Sequence, residues 1–247
     1  MKLARPNVFH PRIVLASGGQ PPDGGGDDAG LVEALRRRGL HARWLEWNDP
    51  QTEDADLVIL RSAGDDVWDD TDRRAEFLAW TTRVTNLLNP PAVIAWNAGR
   101  RHLRDLAAAG VPVAASRGQS VSRHQADAPG TTLIFLGGEQ SHALGSSAEG
   151  VLGGTDEDFE LWDLGYAALD AAATMAGITR TELLFARVDL LGGTHDPVVA
   201  EIDLIAPELG WRHLDDDTCA LQQRTFTLGV ESACERLGLG PLSHRGP

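Results

Sequence analysis

The chain has 247 residues, 42% hydrophobic and 23% charged, which is enough for a core of one large or two small domains. Its net charge of −14 excludes a basic nucleic-acid footprint and disfavours anionic membranes. No apolar run reaches membrane-spanning length, and "MKLARPNVFHPRIVLAS" lacks a signal-peptide core with a cleavage site, so a cytoplasmic protein is the default expectation.

The predicted elements alternate along the first half. "RIVLASGG" (12–19) reads as a buried strand, "QPPDGGGDD" as a loop, and "AGLVEALRRRG" (29–39) as a helix closed by Gly39. Strands follow at 41–47 and 55–62, the second nearly all apolar before Arg61, as in a parallel sheet covered on both faces. A helix over 69–89 stops at Asn89-Pro90-Pro91. A strand at "AVIAWN" (92–97), a helix over 98–110 and an extended "VPVAAS" complete residues 1–116, read as a doubly wound α/β domain.

The second half is different. Residues 117–130 are a polar linker. "TTLIFLGGEQSHAL" (131–144) is a strand, a turn and a strand, and "SSAEGVLGGTDE" a loop. A helix spans 158–177, a hairpin follows, and 214–238 is helical. This α+β core covers 131–247.

The hairpin "FARVDLLGGTHDPVVAEIDLIAP" (185–207) is the most informative stretch. Successive strand residues face opposite sides. Val188 and Leu190 then oppose Arg187 and Asp189, while Ala200, Ile202 and Leu204 oppose Glu201 and Asp203. The expected register pairs Asp189 with Glu201 and Arg187 with Asp203. Three crowded carboxylates raise at least one pKa unless a cation joins them. Two readings follow: a Mg²⁺ site beside an anion-binding arginine, or a solvated sheet face with weak surface pairs.

Other features are weaker. The glycine-rich 20–28 loop is neither GxGxxG nor Walker A, and its acids oppose phosphate. His142 is either a base or a satisfied sheet histidine. His195 and Asp196 sit in a turn. Cys219 and Cys234 are too few for a disulfide framework and read as small core residues, and Trp80, Trp96 and Trp162 fit core positions. Of 22 basic residues only Lys2 is a lysine.

"ADLVILRSAGDD", "LLNPPAVIAWNAGRRHLRDLAAAGVPV", "FLGGEQSHAL" and "ARVDLL…PVVAEIDLIAPELGW" occur in one order. In that order they resemble small ATP-grasp proteins, in the branch of the D-cycloserine-forming ligase and glutathione-synthetase-like enzymes. The resemblance covers most of 12–212. It implies carboxylate activation by ATP followed by attack of an amine. It also implies Mg²⁺ ligands at Asp189, Glu201 and Asp203, and a phosphate-steadying arginine at Arg187. Where the family places a lysine, Arg100 or Arg101 stands. The stretch expected to carry the second lysine, the flap and the adenine hinge shrinks to 117–130, so the ATP clamp is expected to be largely deleted.

The resemblance therefore implies a truncated ATP-grasp-like enzyme with a carboxylate metal site, acting on a small amino-acid-like substrate without conventional ATP use. The alternatives are an ATP-dependent carboxylate–amine ligase with a minimal clamp, or a non-catalytic protein that keeps the fold. A partner subunit could supply the missing clamp, and a homo-oligomer stays open. Arg61, ending a parallel strand, either binds a substrate carboxylate or is buried against Asp65 or Asp66.

Overall fold

The computed structural model describes residues 10–19, 26–99, 101–114, 130–145, 159–192 and 196–240. Two four-stranded sheets organise the described residues. The first contains β1 (Ile13–Ser17), β2 (Ala42–Glu46), β3 (Leu57–Leu60) and β4 (Leu87–Leu88), ordered β2-β1-β3-β4 with every pair parallel. In β1 and β3 every residue is buried, because alternate side chains enter different cores. Ile13, Leu15, Leu57 and Ile59 join one cluster, while Val14, Ala16, Val58 and Leu60 join another with Phe77 and Trp80. The near-continuous apolar reading of residues 55–60 follows from this double cover.

Helix α1 (Leu31–Arg37) covers the first face and α3 (Thr71–Arg83) the second, after the single turn α2 (Asp66–Asp69). Asp70 caps α3, its carboxylate accepting from the backbone N–H of Asp72 and Arg73.

Two expectations fail here. The helix expected over 69–89 ends at Arg83, and Leu87–Leu88 leave it to pair with Val58–Ile59 as the fourth strand. The strand expected at 92–97 is a helix, α4 (Pro91–Asn97), with Pro91 in its first turn, where a missing N–H costs nothing. Val93, Ile94 and Asn97 are its buried residues, a helical spacing that a six-residue apolar run cannot distinguish from a strand. Helix α5 is His102–Ala108, shorter than the 98–110 expected.

The second sheet holds β5 (Thr131–Leu136), β6 (Glu139–Gly145), β7 (Phe185–Leu191) and β8 (Val198–Asp203), ordered β6-β5-β7-β8 and antiparallel throughout. Gly137 and Gly138 make the β5–β6 turn, both with positive φ. One face packs on α6 (Phe159–Ala176): Leu133, Phe135, Val188 and Ile202 meet Ala168, Leu169 and Ala172. Gly165 lies directly under Phe135 and Leu133, where a Cβ would come within 2.7 Å of a ring carbon. On the other face Ile134, Leu136 and Phe185 pack with Phe226 and Val230 of α7 (Asp216–Arg236), in the cluster that includes Ile13 and Leu31.

The packing seam therefore differs from the expected division at 116. Val93 and Leu106, from α4 and α5, belong to the core of the second sheet, with Val111. Two buried asparagines fix this crossover. Asn89 donates to the carbonyls of Phe185 and Leu204 at 2.9 and 2.8 Å and accepts from Leu184 N at 2.7 Å. Asn97 donates to Ile202 O at 2.8 Å and accepts from Leu204 N at 2.7 Å. An asparagine amide has the donor and acceptor of a backbone peptide, so each completes ladder groups that strand ends would leave open. The expected linker, apart from Gly130, falls outside the described residues.

Candidate functional site

The hairpin register is the expected one: Arg187 faces Asp203, Val188 faces Ile202 and Asp189 faces Glu201. A register shift follows between Asp189 and Leu190. The acid-bearing face is not simply solvated. Its inner part, with Phe185 and Ile134, is buried beneath α7, and its outer part forms one wall of a cleft.

That cleft encloses about 570 Å³. Glu201, Asp203 and Ile205 line one side; Ser62, Gly64 and Trp68 line another. Asn97 and His102, from α4 and α5, close its end. Close backbone approach shapes the floor. A Cβ on Gly18 would come within 2.2 Å of Ala63 and Gly64 backbone atoms, so only glycine lets the end of β1 meet the loop after β3.

Each hairpin acid has a protein partner. Arg187 Nε donates to both oxygens of Asp189, at 3.0 and 3.1 Å, and Thr132 Oγ donates to Asp189 Oδ1 at 2.5 Å. Asp203 Oδ1 accepts from the backbone N–H of Ile205 and Ala206 at 2.9 and 3.3 Å. Burial raises the Asp203 pKa, against those two N–H groups and the nearby Arg61 and Arg187 charges.

Glu201 is held by His102, a residue that the sequence reading did not single out. His102 Nδ1 lies 2.8 Å from Gly99 O, and Nε2 lies 2.6 Å from Glu201 Oε1. A carbonyl only accepts, so Nδ1 carries a hydrogen and a second proton lies between Nε2 and the carboxylate. The Glu201 hydrogen bond, the largest cause, raises the His102 pKa against partial burial. His102 and Glu201 stand 99 residues apart in sequence, and nothing local announces the pair.

The side chains suit a hard cation in type, since three carboxylates share the face. They do not suit it in placement. Among the described residues no group of three His, Cys, Asp or Glu side chains is arranged to hold a metal ion. Arg187 sits on Asp189, His102 on Glu201, and Asp203 turns to the chain just beyond its own strand. Mg²⁺ would have to displace these partners.

The arginines separate. Arg187 lies beside the acids as expected. Arg61 is buried, but against Asp28 at 2.9 Å and Pro207 O at 2.9 Å rather than Asp65 or Asp66; Asp66 pairs with Arg73. Arg101 is exposed at the start of α5, and Arg100 lies outside the described residues. His142 is a buried sheet histidine, Nε2 donating to Leu209 O at 2.7 Å with Ser141 Oγ at Nδ1; burial lowers its pKa. The acids after the glycine-rich loop are structural. Asp27 accepts from the backbone N–H of Leu209, Gly210 and Arg212, and Asp28 pairs with Arg61.

This architecture has known counterparts. The family model of the D-cycloserine synthetase N-terminal domain matches residues 13–89. Over 88 residues the chain is 39% identical to a cycloserine biosynthesis protein of Streptomyces lavendulae, a match spanning 34% of this chain and 28% of that protein. The crystal structure of D-cycloserine synthetase superposes with a TM-score of 0.67 at 22% identity, covering 91% of this chain and 99% of that one. The chain has an ATP-grasp-like fold, and its residues 13–89 are similar to the N-terminal domain of D-cycloserine synthetase. Two further ATP-grasp-like structures extend the fold. The ligase PsnB, complexed with a phosphomimetic variant of its minimal precursor, Mg and ADP, has a TM-score of 0.58 at 16% identity, covering 90% of this chain and 99% of that one. D-alanine–D-alanine ligase from Bacillus anthracis, complexed with ATP, has a TM-score of 0.58 at 12% identity, covering 92% and 98%. At these identities the structural likenesses establish the fold. No helix among the described residues is long and apolar enough to cross a membrane.

Proposed function

We propose that this chain is a biosynthetic enzyme derived from ATP-grasp ligases, which takes a small amino-acid-like substrate into the cleft and does not grip ATP in the usual way. The supporting observation is the wall formed by Asp203 and the His102–Glu201 pair, opposite the Ser62–Asp65 loop. This wall offers acceptors and one shared proton to a polar ligand. It suits hydrogen bonding and proton transfer in a cleft of small-molecule size.

The reading against tight ATP binding rests on charge. Lys2 is the one lysine in the chain, and it precedes β1. Charge-assisted contacts to phosphate contribute about 1.5–3 kcal/mol each, so losing two weakens binding by roughly two to four powers of ten. The acids of the hairpin add repulsion. Because their present partners occupy the carboxylates, Mg²⁺ is not assigned a step.

Calorimetry tests this reading. ATP with Mg²⁺ is expected to bind with a dissociation constant of about 1 mM or weaker. Micromolar binding abolished by Arg101→Ala or Arg100→Ala would overturn it. The second reading, an ATP-dependent carboxylate–amine ligase with a minimal clamp, would then stand. The favouring observation for that reading is the superposition along nearly the whole length of the D-cycloserine synthetase structure.

A further inference from the structure

Three carboxylates on one sheet face would ordinarily invite a divalent cation. On this hairpin each acid already carries two donors on one of its oxygens. Asp189 Oδ1 accepts from Arg187 Nε at 3.0 Å and from Thr132 Oγ at 2.5 Å. Glu201 Oε1 is bound by His102 Nε2 at 2.6 Å and by Ile202 N at 3.3 Å. Asp203 Oδ1 accepts from Ile205 N and Ala206 N at 2.9 and 3.3 Å. A carboxylate oxygen has two lone-pair sites, so one oxygen of each acid is filled and chelation by both oxygens is closed.

The donors are themselves anchored. The His102 side chain is 15% exposed, its Nδ1 is bound to Gly99 O at 2.8 Å, and its ring meets Trp96 edge-on with centres 6.1 Å apart. Thr132 stands directly across from Asp189 in the β5–β7 pairing. Arg187 shares a face with Asp189, opposite Asp203, and its Nε also reaches Asp189 Oδ2 at 3.1 Å. An ion bridging Asp189 and Glu201 would therefore lie beside a permanent positive charge. The oxygens left over form no cage, because among the described residues no group of three such side chains is arranged to hold a metal ion. They could bind an ion only if a ligand's phosphates completed its shell.

We infer that this face is closed to divalent cations: Arg187 and Thr132 on Asp189, and His102 on Glu201, take the place of an ion and hold the acids in position at the cleft. Ligand binding in the cleft is then independent of Mg²⁺. The inference goes beyond the substrate reading above and does not rest on it.

The test uses the full chain, freed of metal with EDTA and titrated with Mn²⁺, the free ion being followed by electron paramagnetic resonance. Glu201→Gln gives the background of ions held loosely by an acidic surface. The parent is expected to match Glu201→Gln up to about 1 mM Mn²⁺, with ATP absent or present. His102→Ala and Arg187→Met, made singly and together, free the filled oxygens. The double variant is expected to bind Mn²⁺ about tenfold more tightly than the parent, and to lose that gain when Glu201→Gln is added. If the double variant loses its native circular dichroism, the single variants are read in its place. Parent binding above the Glu201→Gln background, alone or with ATP, would overturn the inference. So would an opened hairpin that binds no better than the parent, since these donors would then not be what closes it. Tight ATP binding in EDTA would instead overturn the earlier reading and leave this one standing.

Discussion

Asn97 Oδ1 accepts the backbone N–H of Leu204 at 2.7 Å, just where β8 ends and the cleft begins. Because the same amide donates to Ile202 O, replacing it with a carboxylate sets two acceptors against each other. Asn97→Asp is expected to cost about 2–4 kcal/mol, and Asn97→Ala nearly as much, by the penalty for buried groups left unpaired. Urea denaturation checks both, with an unchanged m-value if the fold is retained.

The two histidines give stability opposite dependences on pH. Raised pKa at His102 means that its contribution is full below the ordinary value near 6.5 and is lost as pH rises through the folded value. Lowered pKa at His142 means that its contribution is full above about 6.5 and is lost as pH falls towards the folded value. Melting temperatures from pH 5 to 9 are expected to decline more shallowly on the alkaline side in His102→Gln than in the parent. An identical alkaline limb would show that the Glu201 contact contributes nothing.

At Asp203 the ligand-binding role proposed above and stability pull in opposite directions. Its raised pKa means that ionisation is disfavoured in the fold, so above that pKa the group destabilises and acid relieves it. Asp203→Asn keeps the acceptor for Ile205 N and Ala206 N and removes the buried charge. The variant is expected to melt higher at pH 8 than the parent, with the gap closing as pH falls, while ligand binding in the cleft is lost. A lower melting temperature at pH 8 would show that the Arg61 and Arg187 fields outweigh burial.

Gly165→Ala sets helix propensity against overpacking. Alanine gains about 1 kcal/mol in a helix interior, but its methyl would press on the fully buried Phe135 and Leu133, a cost of about 1–3 kcal/mol. Phe135 is also wedged edge-on by Trp162 and Tyr166, so it has little room to yield. Net destabilisation of about 1 kcal/mol is expected by chemical denaturation. A gain in stability would mean that the ring moves freely.

Much of the architecture was legible because it follows local rules. Alternation in 185–191 and 198–203 specified both strands and their register, since a one-residue slip would have put Val188 and Ile202 among the acids. The continuous burial of β3 announced a doubly covered parallel sheet. What stayed hidden depended on distant partners. Leu87–Leu88 is too short for any periodicity and becomes a strand through Val58 and Ile59 alone. "AVIAWN" suits either period, and Pro91 together with the contacts of Val93 settled it as a helix. His102 and Asn97 escape notice because their partners lie on or just after β8, and Asn89 because an asparagine before two prolines suggests a turn. The hairpin pattern foretold that the acids share a face. It could not foretell that Arg187 and His102 would already occupy two of them.

The crossover at Asn89 bears on how such a chain can be assembled from parts. The match to the D-cycloserine synthetase N-terminal domain ends at this residue, where the polypeptide leaves the first sheet and α4 begins to pack on the second. The matched stretch thus stops where the two sheets are joined, and Asn89 and Asn97 hold that joint. They read only main-chain groups, the carbonyls of Phe185, Ile202 and Leu204 and the amides of Leu184 and Leu204. Main-chain groups are the same whatever the side chains. A different second half could be joined here without redesigning the joint, provided that its counterparts of β7 and β8 begin and end in the same place.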